Sequence, residues 1–141
     1  MILDESYGVI VILKGEEDKF LLLKQTNGHW SFPKGHKEGE ESDIDTAFRE
    51  LEEEAGISAV ELIKDKNFVH SYEYLAEGNN IHKTNKYFIG FVKDDKVLIQ
   101  EKEITDHKWV TYKEALETFT YENQKEFISE VKKFLEEYVK I

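Results

Sequence analysis

The sequence predicts an α/β fold, in the loose sense of a mixed β-sheet covered by helices. Two observations support this prediction: strand-like apolar runs come first, and segments with helical spacing lie in the middle and at the end of the chain. This order favours helices that pack on the faces of one sheet. With 141 residues, of which 40% are hydrophobic, the chain suits one core. We therefore expect a single domain over residues 1–141.

The first strands are predicted from two apolar runs separated by a turn. Residues 7–13 (YGVIVIL) predict a buried strand, residues 15–18 a turn, and residues 20–23 (FLLL) the hairpin partner of the first strand. Residues 25–35 follow, with two glycines and the single proline of the chain. This polar stretch predicts a loop.

A central helix is predicted over residues 43–55. Ser42 and Asp45 have the spacing of a capping box at its start, and Gly56 supplies a stop signal at its end. The apolar residues recur at helical spacing, which predicts one buried stripe that packs on the sheet. They are Ile44, Ala47, Phe48, Leu51 and Ala55.

The remaining elements are predicted from apolar runs and helical patterns. Residues 59–74 predict one or two strands, residues 77–85 a loop, and residues 87–92 (YFIGFV) a further strand. The last predicted elements are a short strand over 108–110 and helices over 112–118 and 123–138.

Composition and charge restrict the classes of partner. The net charge of −11 argues against broad binding to nucleic-acid backbones or anionic membranes, which require a positive surface. The sequence has no apolar run long enough for a transmembrane helix and no export signal at its start, and it contains no cysteine. These features fit a reducing cytoplasm. We expect a cytoplasmic monomer whose partner is a small molecule rather than a long nucleic acid or a membrane.

Glu50, Glu53 and Glu54 place three like charges on the predicted central helix. Like charges at i,i+4 destabilise an isolated helix by roughly 0.2–0.5 kcal/mol per pair. At 100° per residue, these side chains are expected to share one exposed ridge turned away from the apolar stripe. A solvated helix face is one explanation of this charge, and a binding site for cations is the other.

The residues around these glutamates follow a fixed pattern. Gly35 is followed after five residues by Glu41, and seven further residues lead to the run REL-x-EE-x-GI over residues 49–57. This pattern matches all nine specified positions of the Nudix box, G-x5-E-x7-R-E-U-x-E-E-x-G-U. The chain therefore resembles the Nudix hydrolase superfamily. The resemblance implies an α/β/α sandwich with a loop-helix-loop catalytic motif, and magnesium-dependent hydrolysis of nucleoside diphosphates linked to another moiety.

The chemistry of divalent cations explains the acidic ridge. Mg²⁺ prefers oxygen ligands in octahedral geometry, and carboxylates on one rigid surface can share its coordination with phosphate oxygens. We expect Mg²⁺, with Mn²⁺ as a possible substitute. The predicted catalytic residues are Arg49, Glu50, Glu53 and Glu54, and the predicted metal site comprises Glu50, Glu53, Glu54, Glu103 and Gly35.

The residues of this predicted site have different roles. Arg49 is expected to orient Glu53 through an i,i+4 salt bridge. Gly35 would let the loop fold back against the helix. Glu103 is implied by the resemblance, as a glutamate in a later loop before Trp109, and Glu101 is its nearby rival. Either Glu54 or Glu50 is expected to be the catalytic base.

The residues before the box narrow the resemblance. Residues 29–36 (HWSFPKGH) are similar to the H-W-x-x-P-K-G-H entry to the box in asymmetrical diadenosine tetraphosphate hydrolases. The chain departs from that family at Gly39 and Glu40, where the family often has proline and glycine. The resemblance implies phosphate contacts and aromatic rings that stack an adenine. The predicted substrate-binding residues are His29, Lys34, His36, Tyr74, Lys83, Tyr87 and Tyr121.

This resemblance predicts a hydrolase that splits diadenosine tetraphosphate into ATP and AMP. Two alternatives stay open at this point. One is a pyrophosphohydrolase of modified nucleoside triphosphates or of capped RNA 5′ ends. The other is a Nudix module that senses a nucleotide without catalysis.

Overall fold

A computed structural model describes residues 1–119 and 121–139 of the chain. Its elements, in chain order, are β1 (Ile2–Leu13), β2 (Lys19–Gln25), β3 (Trp30–Ser31), β4 (Lys34–Gly35), α1 (Asp43–Ala55), β5 (Glu61–Ala76), β6 (Asn79–Val92), β7 (Ile104–Val110), α2 (Tyr112–Thr118) and α3 (Glu122–Val139). In this described part of the chain, we find no helix with the length and apolar character needed to cross a membrane.

The strands form one mixed sheet in the order β3-β2-β1-β6-β5, with β4 paired to β1 and β7 paired to β2. Strand β1 runs parallel to residues 81–92 of β6 over its whole length, and the other pairs are antiparallel. In β4, Lys34 and Gly35 pair with Gly8 and Tyr7 of β1. The sheet thereby holds the start of the box against its central strand.

Two apolar layers flank the sheet. Along β1, Ile10 and Ile12 face the layer formed with α2 and α3, whereas Val9 and Val11 face the layer formed with α1. This alternation follows from the two-residue period of a strand. The fold is therefore the α/β/α sandwich that the sequence predicted.

The local signals for α1 and the two C-terminal helices are confirmed. Ser42 Oγ accepts a hydrogen bond from the Asp45 N–H, and Gly56 ends α1 with a φ of 67°. Only glycine adopts this left-handed conformation without penalty. The bounds of α1 and α2 agree with the prediction, and those of α3 differ by one residue at each end.

The predicted loop over residues 77–85 is wrong. Glu77 and Gly78 form a tight turn with positive φ angles of 51° and 77°, and β6 already begins at Asn79. The stretch is polar, but its backbone pairs with β1 on one side and β5 on the other. Strand β1 is likewise longer than predicted and begins at Ile2. Both extensions matter because they form one wall of the site.

Candidate active site

The three glutamates that were predicted to share one ridge of α1 differ in exposure. The side chain of Glu53 is 48% exposed and that of Glu50 13%, whereas Glu54 is only 4% exposed. The prediction that all three share one exposed ridge is therefore wrong for Glu54. At 100° per residue, Glu54 lies only about 20° from Ala47 around the helix axis, and Ala47 is fully buried.

The buried carboxyl group of Glu54 accepts a hydrogen bond at Oε1 from the Lys34 N–H, at 3.1 Å. Burial raises the pKa of Glu54 to about 7, and the negative charges of Glu50 and Glu103 add to this effect. Burial also raises the pKa of Glu50, although Arg49 opposes the shift. Burial thus favours the neutral form of both carboxyl groups, and a cation bound beside them would favour the ionised form.

Arg49 is the single arginine of the chain, and its guanidinium donates hydrogen bonds to three carboxylates. It binds Glu41 through two hydrogen bonds of 2.8 and 3.0 Å, and it donates to Glu50 at 3.0 Å and Glu53 at 3.1 Å. The expected Arg49–Glu53 contact is present. Sequence reasoning missed the role of Glu41, whose hydrogen bonds from Arg49 lower its pKa to about 2. A further bond to the His36 carbonyl ties Arg49 to the loop before α1.

Replacing Arg49 by Lys is expected to lower activity roughly 10–100-fold, which is the usual cost of changing a group that orients metal ligands. A lysine ammonium cannot reproduce the planar fork that holds these carboxylates. The Mg²⁺ concentration for half-maximal rate should rise, as measured by titrating Mg²⁺ in a hydrolysis assay. The matched control is Lys132→Met, which removes a surface cation paired with Glu136 on α3. An unchanged Mg²⁺ dependence in Arg49→Lys would contradict the orienting role.

The Glu50 carboxyl group approaches Gly35 closely, and this contact, rather than the φ angle of Gly35, favours glycine at this position. A Cβ added at Gly35 would overlap the carboxyl group of Glu50, so any larger residue would displace this glutamate. Gly39, in contrast, has a φ of 59°. Proline cannot adopt that angle, so this loop conformation excludes a proline at position 39.

Glu103 reaches the site through the segment between β6 and β7. The N–H groups of Leu98 and Gln100 donate to the carbonyls of Ala55 and Glu54 at the end of α1, at 2.9 and 3.1 Å. The charge of Glu103 acts on the pKa of both Glu50 and Glu54. This charge effect places Glu103 near the two glutamates, and its role as a metal ligand stays a prediction.

The donor set fits a hard divalent cation. It consists of carboxylate oxygens, and two of its members, Glu50 and Glu54, have raised pKa values. Over residues 1–119 and 121–139, no three His, Asp or Glu side chains already lie close enough to hold a metal ion. Glu50 and Glu53 each accept a hydrogen bond from Arg49 instead, at 3.0 and 3.1 Å.

Two of the predicted phosphate contacts meet around one aspartate that sequence reasoning missed. The Nζ atom of Lys83, a buried side chain, lies 2.6 Å from Ser6 Oγ and 3.2 Å from Asp4 Oδ1. His36 Nε2 lies 2.7 Å from the same Asp4 oxygen. Although partial burial raises the pKa of Asp4, these two partners hold it below its usual value. Asp4 therefore brings Lys83 and His36 together at one carboxylate oxygen.

Lys34 connects the acidic and cationic groups. Burial lowers the pKa of its ammonium group and the charge of Lys83 lowers it further, while Glu54, Asp4 and Glu50 oppose the shift. Its backbone binds Glu54 and its side chain lines an adjacent cleft. Lys34 thus stands where the acidic cluster meets this cleft.

The cleft has a volume of about 510 Å³ and contains five of the predicted substrate-binding residues. These are His29, Lys34, Tyr74, Tyr87 and Tyr121. Tyr74 is 41% exposed and Tyr121 52% exposed, and the Tyr121 ring lies 5.8 Å from the ring of His29. Both tyrosines are therefore accessible for stacking a planar ring.

Tyr87 differs from the other residues of the cleft. It is only 3% exposed and packs edge-on against Phe32, with ring centroids 5.4 Å apart. It belongs to the core beneath the cleft, and its role as a substrate contact stays a prediction. The structure adds further lining residues that the sequence did not indicate, including His70, Tyr72, Asn85 and Asn123.

A search of protein families matches the NUDIX domain over residues 5–131. The chain belongs to the Nudix family. This Nudix chain is 38% identical over 120 residues to the asymmetrical bis(5′-nucleosyl)-tetraphosphatase of Sus scrofa. The match covers 83% of this chain and 80% of the relative. The asymmetrical bis(5′-nucleosyl)-tetraphosphatase of Rattus norvegicus is 37% identical, and this match also covers 83% of this chain and 80% of the relative.

The structure of a C. elegans Ap4A hydrolase binary complex superimposes on this Nudix chain with a TM-score of 0.81. The match has 26% sequence identity and covers 94% of this chain and 97% of the other.

Proposed function

We propose that this chain hydrolyses dinucleoside polyphosphates and splits diadenosine tetraphosphate asymmetrically, into ATP and AMP. The observation that carries this proposal is the continuity between the acidic face of α1 and the aromatic cleft, with Lys34 at their junction. A polyphosphate can lie along the charged groups while a nucleoside occupies the cleft. The two tetraphosphatase relatives agree with this arrangement.

Members of the Nudix family generally use a divalent metal, and we propose Mg²⁺, with Mn²⁺ as a substitute. The proposed ligands are Glu50, Glu53, Glu54 and Glu103, with Gly35 leaving room for Glu50. When bound, the cation neutralises phosphate oxygens, polarises the phosphorus and lowers the pKa of a coordinated water.

The side chains of this chain bind and orient the substrate. Lys34, Lys83 and His36 contact phosphate oxygens, and the phosphate replaces Asp4 as the partner of Lys83 and His36. Tyr74 and Tyr121 stack on a base. Each of these contacts places the scissile phosphoanhydride near α1.

Glu54 is the proposed catalytic base, and Glu50 is the alternative. A pKa of about 7 is suited to accepting a proton near neutral pH. The Lys34 N–H donates to Oε1 and fixes the orientation of this carboxyl group. In this role, the buried position of Glu54 is functional rather than a packing defect.

We also propose that residues 1–141 form one Nudix domain that acts as a cytoplasmic monomer. The absence of cysteine from the sequence is compatible with a reducing compartment. The net charge of −11 disfavours long nucleic acids and anionic membranes as partners.

Incubation with diadenosine tetraphosphate and Mg²⁺ is expected to yield equal amounts of ATP and AMP. Chromatographic separation of the nucleotides measures the products, and the same reaction with EDTA is the control. Two molecules of ADP, or no turnover, would contradict the proposal. Ranking kcat/KM over modified nucleoside triphosphates and capped RNA ends tests whether another Nudix substrate is preferred.

A further inference from the structure

Two hydrogen-bond donors meet at one oxygen atom of Asp4. Lys83 Nζ lies 3.2 Å from Asp4 Oδ1, and His36 Nε2 lies 2.7 Å from the same atom. An ionised carboxylate only accepts hydrogen bonds, so both nitrogen atoms donate to it. The Lys83 side chain is 7% exposed, whereas those of Asp4 and His36 are 29% and 69% exposed. Asp4 is therefore the more accessible partner of a buried ammonium group.

The backbone and other contacts hold both donors in place independently of Asp4. Lys83 stands opposite Asp4 in the parallel pair of β1 and β6, and its Nζ atom also lies 2.6 Å from Ser6 Oγ. The carbonyl group of His36 accepts a hydrogen bond of 2.8 Å from Arg49. Both donors thus keep a second anchor when the Asp4 carboxylate gives up its contacts.

A substrate phosphate and the Asp4 carboxylate require the same donors. A phosphate oxygen that accepts from both Lys83 and His36 has to lie near the present position of Asp4 Oδ1. Bringing two like charges together at a binding site costs free energy. A phosphate therefore binds here only against the negative charge of Asp4, whereas a ligand without a phosphate group meets no such opposition.

We propose that Asp4 is a specificity-determining residue that competes with substrate phosphates for Lys83 and His36. Its charge weakens the binding of every ligand that places a phosphate between these donors. A nucleotide offsets this cost by stacking its base in the cleft lined by Tyr74 and Tyr121, and an inorganic polyphosphate has no base to stack. The chain thereby selects against free polyphosphates. This inference rests on the proposed phosphate contacts of Lys83 and His36.

Calorimetric titration in EDTA at low ionic strength tests the competition, with ATP, inorganic tripolyphosphate and adenosine as probes. Asp4→Asn removes the charge, and its side-chain oxygen can still accept from Lys83. This variant should bind ATP and tripolyphosphate at least about tenfold more tightly than the wild type, because a like charge in the site opposes binding strongly when screening is weak. Its affinity for adenosine should be unchanged. Asp4→Glu keeps the charge and should keep the weak binding of ATP and tripolyphosphate.

The matched control is Asp18→Asn, in the turn between β1 and β2. Asp18 has the same exposed fraction as Asp4, 29%, and its Oδ2 atom lies 3.3 Å from Lys14 Nζ. The substitution changes the net charge of the protein by the same amount. All three affinities should stay at their wild-type values, which separates local competition from the effect of net charge.

Tighter binding of the two phosphate ligands is a result that a merely structural role of Asp4 would not produce. Unchanged or weaker binding of ATP by Asp4→Asn would overturn the proposal. So would an equal gain in Asp18→Asn, or a matching gain for adenosine, which would indicate a change in the cleft. If Asp4→Asn does not fold, Asp4→Ser takes its place with the same expected gain. Failure of both variants to fold would assign Asp4 a structural role and contradict the competition.

The proposed function and the competition by Asp4 can fail independently. Tighter binding of ATP by Asp4→Asn, without hydrolysis of diadenosine tetraphosphate by the wild type, would contradict the function and support the competition. Hydrolysis by the wild type together with unchanged ATP binding in Asp4→Asn would support the function and contradict the competition. The two assays therefore assign each result to one proposal.

Discussion

Replacing Glu54 by Gln is expected to lower kcat about 10³-fold or more while the protein stays folded. The amide keeps the size of the side chain, and its Oε1 can still accept the Lys34 N–H. It removes both the negative charge that balances a divalent cation and the proposed proton acceptor. Charge stabilisation by metal in phosphoryl transfer is worth several kcal/mol, and about 4 kcal/mol corresponds to 10³-fold in rate.

The matched control for this variant is Glu52→Gln, two residues away on the exposed side of α1. It changes the net charge by the same amount and should retain near wild-type kcat. Glu53→Gln should also lower kcat if Glu53 binds the cation. Steady-state rates at saturating diadenosine tetraphosphate and Mg²⁺ measure all three. Near wild-type activity of Glu54→Gln would mean that this glutamate has no part in the chemistry.

For α1, the sequence predicted which face packs on the sheet, but the burial of Glu54 was missed. The apolar stripe correctly placed α1 on the sheet, with Ala47, Leu51 and Ala55 fully buried. Grouping the glutamates by charge, however, hid the position of Glu54 beside Ala47. The helical angle alone was sufficient to find it. The unusual pKa could not be predicted because it depends on the loop and strand β4 that cover this carboxyl group.

The N-terminal half of β6 could not be predicted for a different reason. Residues 79–86 (NNIHKTNK) are polar and resemble a loop, because a strand that lines a polar cleft has no apolar alternation. Lys83 was proposed from family resemblance, but its partner Asp4 lies far away in sequence. Their contact follows from the parallel register of β1 and β6, which no local pattern reveals.

The metal-free protein is expected to lose stability as the pH rises through 7, relative to Glu54→Gln. The pKa of Glu54 is raised by burial from 4.5 to about 7, so the folded state holds its proton more tightly than the unfolded state. A raised folded pKa gives stability that is fully present below pH 4.5 and is lost as the pH rises through 7. At about 1.4 kcal/mol per pKa unit, the loss is on the order of 3 kcal/mol.

Urea unfolding in EDTA between pH 4.5 and pH 8.5 measures this difference. Subtracting the Glu54→Gln curve removes the contributions of the other titrating groups, and Glu52→Gln should follow the wild type. At pH 8, Mg²⁺ should raise the Tm of the wild type more than that of Glu54→Gln, because the cation binds the folded, ionised site by mass action. Parallel stability curves for the wild type and Glu54→Gln, or equal protection by Mg²⁺, would contradict this account. In that case, Glu54 would have no part in binding a cation.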